Sequence, residues 1–329
     1  MFNLISTNEK NFITKRLNAE PNPIREDKRE SFSYRNISIR KLHSNGQIEV
    51  KIGNTLVISQ IFAKLTSPYV DRPSEGIIAF SVDTYHIKPN ADYNQSNEAL
   101  NEFRTKISNL LEKSLRESKA LDTNSLCISP GKLVWKIVID INIINNDGNA
   151  IDACFIATLA SWLSYKIPFL RKKNDKVICN GQTIHLTMLH MPFCVTFGLF
   201  NTNDNKMKYL CDPSWKEEQV MKGFLSVSAN IFGEICYLQM TSSVQVSTDE
   251  MNDILLCASD KIKELHKQLK LFLEIDKKNL FKASVNDDVE MNEQENYEGC
   301  KFMEKINSAI SIRKHYDLLS YELPNHGPS

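Results

Sequence analysis

Apolar residues recur along the chain with two periods, and the alternation between them divides it into elements. From Leu133 onward they take every second position, at Trp135, Ile137, Ile139, Ile141 and Ile143, with Lys136, Asp140 and Asn142 on the opposite face. That period predicts a long strand with one buried face. Phe193, Val195, Phe197 and Leu199 repeat the pattern. Shorter runs at Gln47–Gly53, Thr55–Lys64, Ile77–Val82, Met207–Cys211, Phe224–Ala229 and Glu234–Met240 predict further strands, with Asn45-Gly46 as a two-residue hairpin turn. Helical spacing takes over elsewhere. Ser6 and Glu9 form a capping box ahead of Phe12, Ile13 and Leu17, and Pro21 and Pro23 close that helix. Asn97 is placed to cap a helix whose apolar positions are Leu100, Phe103, Ile107, Leu110, Leu111 and Leu115. Asp147-Gly148 turns the chain, and residues 152–164 are apolar nearly all round, as in a helix buried between layers. Ser247 and Glu250 form a second capping box before Met251, Ile254, Leu255, Ala258, Ile262, Leu265, Leu269 and Phe272.

Two successive groups of strands, each followed by a helix, predict an α+β fold with two related halves. The charged break at Arg171–Lys176 is the expected boundary between them. Beyond Ile275 the chain turns polar and acidic as far as Gly299, which predicts a disordered linker. Lys301–Leu319 has weak helical periodicity suited to docking on a partner.

Charge and cysteines narrow the function. Forty basic and forty acidic residues give a net charge of zero. A chain that binds nucleic acid tightly by itself usually has a basic excess, so any nucleic-acid contact here is expected to be local or shared with partner chains. The eight cysteines form no C-x-x-C pair and are expected to be reduced and structural. Residues 1–15 lack a signal-peptide core, and no stretch has the ~20 apolar residues of a membrane span. His185 and His190 do not have metal-ligand spacing with Asp212, so polar packing is expected. Gly53-Asn54-Thr55 is a turn rather than a phosphate loop, because no G-K-S/T follows. No cofactor or metal is expected.

Several segments carry a family resemblance. Arg25-Glu26-Asp27-Lys28-Arg29 resembles an R-x-D-G-R motif with Lys28 in the glycine position, and Arg35-Asn36-Ile37 follows at the matching distance. Val50 to Thr55 resembles V-x-x-G-x-T. Pro68 to Gly76 and Lys113 to Asp122 are similar to segments of one branch of the same family. So are Ser125 to Ile128, Asn145 to Ala153, His190 to Val195, and Asp212-Pro213 followed by Glu217 to Met221. In order and spacing, over roughly residues 6 to 275, these resemble the RNase PH family, in the branch that builds the ring of the eukaryotic RNA exosome. The implied fold is RNase PH-like, from ribosomal protein S5 domain 2-like βαβ units. Its expected parts are an N-terminal helix and lead-in at 1–30, a first domain at 31–170, a second at 171–275 and a partly disordered tail at 276–329.

Active members of this family cleave RNA with inorganic phosphate, which needs backbone N–H groups, a helix N-terminus and an arginine around the anion. The resemblance aligns their G-G-T-R-type loop with Gly148-Asn149-Ala150-Ile151, where the second glycine, threonine and arginine are missing. Asp152 would repel phosphate. Phe103 and Lys106 stand where active relatives carry arginine and glutamate, and His190-Met191-Pro192 replaces a D-x-P. Asp212, Glu217 and Glu218 remain; by themselves they read as a turn residue and first-turn helix charges. The expectation is a non-catalytic ring subunit with no catalytic residue, supporting 3′–5′ RNA processing and decay. The alternative is an active phosphate-dependent exoribonuclease. Implied partners are other RNase PH-like ring subunits, S1/KH cap subunits, a hydrolytic exoribonuclease and single-stranded RNA in the channel. No membrane is implied, and the implied locations are nucleus, nucleolus and cytoplasm. Lys113 and Arg116, three positions apart, with Arg104 and Lys106 upstream, are the candidate RNA contacts.

Overall fold

A computed structural model describes residues 5–19, 23–42, 45–84, 93–173, 176–201, 207–242 and 245–286. The chain divides into two compact units, Met1–Lys166 with His185–Asp276, and Ile167–Ile184 with Lys277–Ser329. The first unit opens with α1 (Thr7–Leu17), where the Ser6 hydroxyl accepts from the Glu9 N–H. Six strands build its first sheet: β1 (Ile37–Lys41), β2 (Ile48–Ile52), β3 (Thr55–Thr66), β4 (Ile77–Thr84), β5 (Cys127–Ser129) and β6 (Leu133–Asn145). The order is β1-β2-β3-β6-β4, with β5 also on β6. Only β4 and β6 run parallel. A parallel pair needs a crossover, and the chain between them carries α2 (Tyr93–Leu111). The alternation in β6 is realised: Trp135, Ile137, Ile139, Ile141 and Ile143 are all buried.

The second sheet holds β9 (Phe193–Asn201), β10 (Met207–Cys211), β11 (Gly223–Ala229) and β12 (Ile235–Ser242), in the antiparallel order β10-β9-β11-β12. Between the two sheets runs α3 (Ala150–Ser164), with all but Ile151 and Leu163 of its 15 residues buried. It packs on β2 and β3 and reaches β9, where Thr196 bonds Asp152. The opposite face of β9 meets α5 (Thr248–Asn286), with Phe193 edge-on to His266 at 6.1 Å. In α5 the capping box forms as expected: the Ser247 N–H donates to Glu250 at 2.9 Å, and the Glu250 N–H donates back. In the second unit, β7 (Lys166–Lys173) and β8 (Lys176–His185) pair as a separate two-stranded sheet. Arg171–Lys173 of the predicted charged break end β7, and Lys176 opens β8.

Three expectations need correction. The ladder between β1 and β2 closes with Leu42 N–H on the Gln47 carbonyl at 3.0 Å, so residues 43–46, not Asn45-Gly46 alone, connect them. The two-residue turn is at Gly53-Asn54, where Ile52 pairs with Thr55 and Gly53 takes φ +58°. Asn97 does not cap α2, which begins at Tyr93. Nor does a linker begin beyond Ile275, because α5 continues to Asn286. Residues 276–286 contain no glycine or proline, and extending an existing helix avoids the cost of nucleating one. Lys301–Leu319 lies outside the described residues.

Candidate functional site

The turn from β6 into α3 fixes the geometry. Gly148 has φ +89°, and a Cβ there would lie 2.4 Å from the backbone nitrogen of Trp215, so only glycine fits. Asn149 follows in the left-handed region at φ +53°. Its backbone N–H donates to Glu218 Oε1 at 2.7 Å, and its amide donates to Asp152 and Asp212, each at 2.8 Å. Glu218 ends the short helix α4 (Trp215–Glu218), which Ser214 and Glu217 open with a capping box.

Three arginines from the segment after α1 enter this cluster. Arg25, fully buried, makes a two-pronged contact with Glu217 at 2.9 and 2.6 Å and donates to the carbonyls of Cys211 and Asp212. Arg35 grips both oxygens of Asp212 at 2.8 and 2.9 Å and donates to the carbonyls of Asp147 and Gly148. Arg29 adds a second cation to the Asp212 carboxylate at 2.9 Å. Lys28, in the glycine position of the R-x-D-G-R motif, has φ +61°, which explains why that motif favours glycine. Asp152 accepts from the Tyr34 hydroxyl at 2.6 Å and from Thr196.

These surroundings divide the carboxyls. Burial pushes Asp212 up, but hydrogen bonds and charge from Arg35 hold it below the usual range. Burial lifts Asp152 to about 6 against the donors around it, and Glu218 to about 7. Asp212 and Glu217 are therefore more than turn and first-turn charges, because between them they hold three arginines, while Glu218 accepts from the Asn149 N–H. Beside the cluster, a cleft of about 450 Å³ is lined by Glu26, Asp27, Asp147 and Glu217 against Arg35 and Lys216. Sequence reasoning missed this role for Arg25, Arg29, Arg35 and Asn149. Their signal was the motif itself, whose arginines needed acids that lie far away in the chain.

Models of the 3′ exoribonuclease (RNase PH) family match this chain, domain 1 at residues 33–168 and domain 2 at residues 190–261. An Arabidopsis thaliana protein named exosome complex component RRP45A is 33% identical over 264 residues, 78% of this chain and 83% of its own length. The chain belongs to the RNase PH family. A second family member, exosome complex component RRP45 of Bos taurus, is 32% identical over 279 residues. That match covers 83% of this chain but only 61% of the cattle protein. A solved structure described as an archaeal exosome core shares the RNase PH fold, with TM-score 0.65 and 22% identity over 80% of this chain and 96% of that one.

The four candidate RNA contacts are not brought together. Arg104 leans on Thr84 and lies 3.8 Å from Asp83, and Lys106 pairs with Glu102 at 2.8 Å. Arg116 pairs with Glu112. Lys113 sits over the Tyr237 ring, 5.2 Å from its centroid. Residues 112–117 wind as a π-helix with i→i+5 bonds, so a three-residue spacing does not put Lys113 and Arg116 on one face as it would in an α-helix. Both remain exposed.

Proposed function

We propose that this chain is a non-catalytic wall subunit of an exosome ring. The observation that carries the reading is Glu218 on the Asn149 N–H. A helix N-terminus attracts anions, and here the chain's own carboxylates take that place. Arg35, the cation nearest to it, is committed to Asp212. The adjoining cleft is rimmed by acids that repel phosphate. The purified chain, alone or in an assembled ring, should release no nucleoside diphosphates from RNA in the presence of phosphate. Phosphate-dependent release that disappears on Asp212→Ala would instead establish an active phosphorolytic exoribonuclease.

The partners proposed are other RNase PH-like ring subunits, S1/KH cap subunits and a hydrolytic exoribonuclease, with single-stranded RNA in the channel. The proposed locations are nucleus, nucleolus and cytoplasm. The relatives named exosome complex components support this reading. Lys113 and Arg116, with Arg104 and Lys106 behind them, are the proposed cationic contacts to the RNA backbone. Such contacts are salt-sensitive and carry no sequence information. Changing Lys113 and Arg116 to glutamate should weaken RNA binding by the ring several-fold at low salt and less at high salt. Equal binding at low ionic strength would make both residues ordinary surface charges.

A further inference from the structure

Helix α1, the segment after it and the start of α4 border a groove whose two ends differ in chemistry. One end is a cavity of about 100 Å³ with Phe12, Ile13, Leu17 and Ile24 in its lining. The other is the cleft of about 450 Å³ beside the arginine cluster, where Trp215 joins Glu26, Asp27 and Asp147. Glu26, Lys216 and Glu217 line both, so the two ends adjoin. Phe12 is 58% and Ile24 49% exposed. Single exposed apolar side chains are ordinary on a folded chain, but two around one cavity form a place of contact. An apolar cavity of about 150 Å³ admits benzene, so the smaller one here suits a single aliphatic side chain.

The ion pairs of the groove leave it negative. Arg25 balances Glu217. Arg29 and Arg35 between them serve Asp27, Asp147 and Asp212. Lys216 spans two carboxylates, Glu26 at 2.8 Å and Glu9 at 3.5 Å. Six carboxylates thus share four cations. Adding Arg16, which sits over the Phe12 ring at 5.4 Å, still leaves the balance negative. The surplus falls on Glu9, Glu26 and Asp147, whose cations are shared. Carboxylates beside an aromatic side chain, here Trp215, suit a guanidinium or an ammonium.

We infer that this groove docks a short segment of a partner protein, with one aliphatic side chain in the cavity and an arginine or lysine in the cleft. The inference goes beyond the wall-subunit reading and shares with it only the acidic cleft. The two determinants lie a few residues apart in the partner, because the cavities share three lining residues and an extended peptide advances about 3.3 Å per residue. Burial of the aliphatic side chain supplies affinity, and the cleft selects the sign of its neighbour. The same charge balance disfavours RNA, whose phosphates would meet Glu9, Glu26 and Asp147.

The test offers the full chain, alone and assembled with RNase PH-like subunits from the same organism, a phage-displayed library of random peptides of about ten residues. Enriched sequences should pair an aliphatic residue with an arginine or lysine a few positions away and contain few acids. Their synthetic forms should change the emission of Trp215, since Trp135 and Trp162, the other two tryptophans, are sealed in the core. Phe12→Ser should weaken binding about tenfold or more. Glu26→Lys should weaken it several-fold, and less as salt is raised. Both side chains are largely exposed, so both variants should keep the wild-type melting temperature. The inference is overturned if the library yields no binder, or if the enriched peptides bind both variants as they bind the wild type. Displacement of the peptides by single-stranded RNA would make the groove a nucleic-acid site instead. Loss of binding on self-association or on assembly would make a second copy or a ring neighbour the occupant, which also overturns it. None of these outcomes touches the wall-subunit reading, which falls only on phosphate-dependent release of nucleoside diphosphates.

Discussion

Replacing Arg25 with methionine should lower the free energy of unfolding by about 3–5 kcal/mol, the usual cost of breaking a buried ion pair by removing one partner. Methionine fills much of the same volume, so the effect is not a cavity effect. It comes from what the guanidinium leaves behind. Glu217, 4% exposed, keeps its charge with no cation in contact, and the carbonyls of Cys211 and Asp212 lose their donors. Each orphaned acceptor costs about 1–3 kcal/mol. The loss is a large share of the 5–15 kcal/mol that holds most folded chains together, and for a chain of this size it means a melting temperature lower by roughly 10 °C. R25K should fall between, because an ammonium restores the charge but not the two-pronged geometry. R25M combined with E217Q should recover part of the loss, since the stranded charge is then gone. Urea unfolding of the four proteins measures this; an R25M loss below about 1 kcal/mol sinks the account.

That pairing also shows where sequence reading reached its limit. Strands β6 and β9 and helix α3 were legible because their signal is local: a period of two, or an apolar residue at nearly every position. Even there, β9 is more buried than its alternation implied. Cys194 and Thr196 are as hidden as Phe193 and Val195, because α3 covers one face and α5 the other. A two-sided environment depends on which elements come next in space, and the period of one strand does not record that. The site was harder still. Arg25 meets Glu217 across 192 positions of chain, and Arg35 meets Asp212 across 177. Nothing in the neighbourhood of Asp212-Pro213 indicates that three arginines converge there, so a turn residue and helix-start charges were the natural local reading. The family motif contained the missing half, and the positive φ of Lys28 shows that the motif's glycine serves backbone geometry. On the RNA candidates, the helical spacing assumed for Lys113 and Arg116 failed because the helix widens at Glu112.

The second large effect is a dependence of stability on pH, in which carboxyls a few ångströms apart act with opposite signs. Asp212 is held below its ordinary 3.8, so its stabilisation is present above that value and is lost as pH falls beneath it. Glu218 is the reverse. Unfolded, it releases its proton near 4.5; folded, it keeps it to about 7. Between those values the folded state holds the extra proton, so stability declines as pH rises through the window, and the cost is complete above about 7. Asp152, lifted from 3.8 to about 6, declines over a lower window with the same sign. The full gap for Glu218 corresponds to about 3 kcal/mol. Its carboxyl is only part-buried, so solvent screening reduces the expected cost to about 1–2 kcal/mol. Glu218→Gln removes the titration while its carbonyl oxygen can still accept from the Asn149 N–H. The variant should match the wild type near pH 4.5 and exceed its stability by about 1–2 kcal/mol at pH 8. Asp152→Asn controls for general disruption, because a primary amide cannot accept from all of Tyr34, Asn149 and Thr196, and it should destabilise throughout. Urea unfolding at pH 4.5, 6 and 8 decides the matter. A Glu218→Gln difference that is constant across that range, or that favours the wild type at pH 8, would mean that Glu218 is ionised without cost and that the Asn149 N–H and Arg35 fully offset its burial.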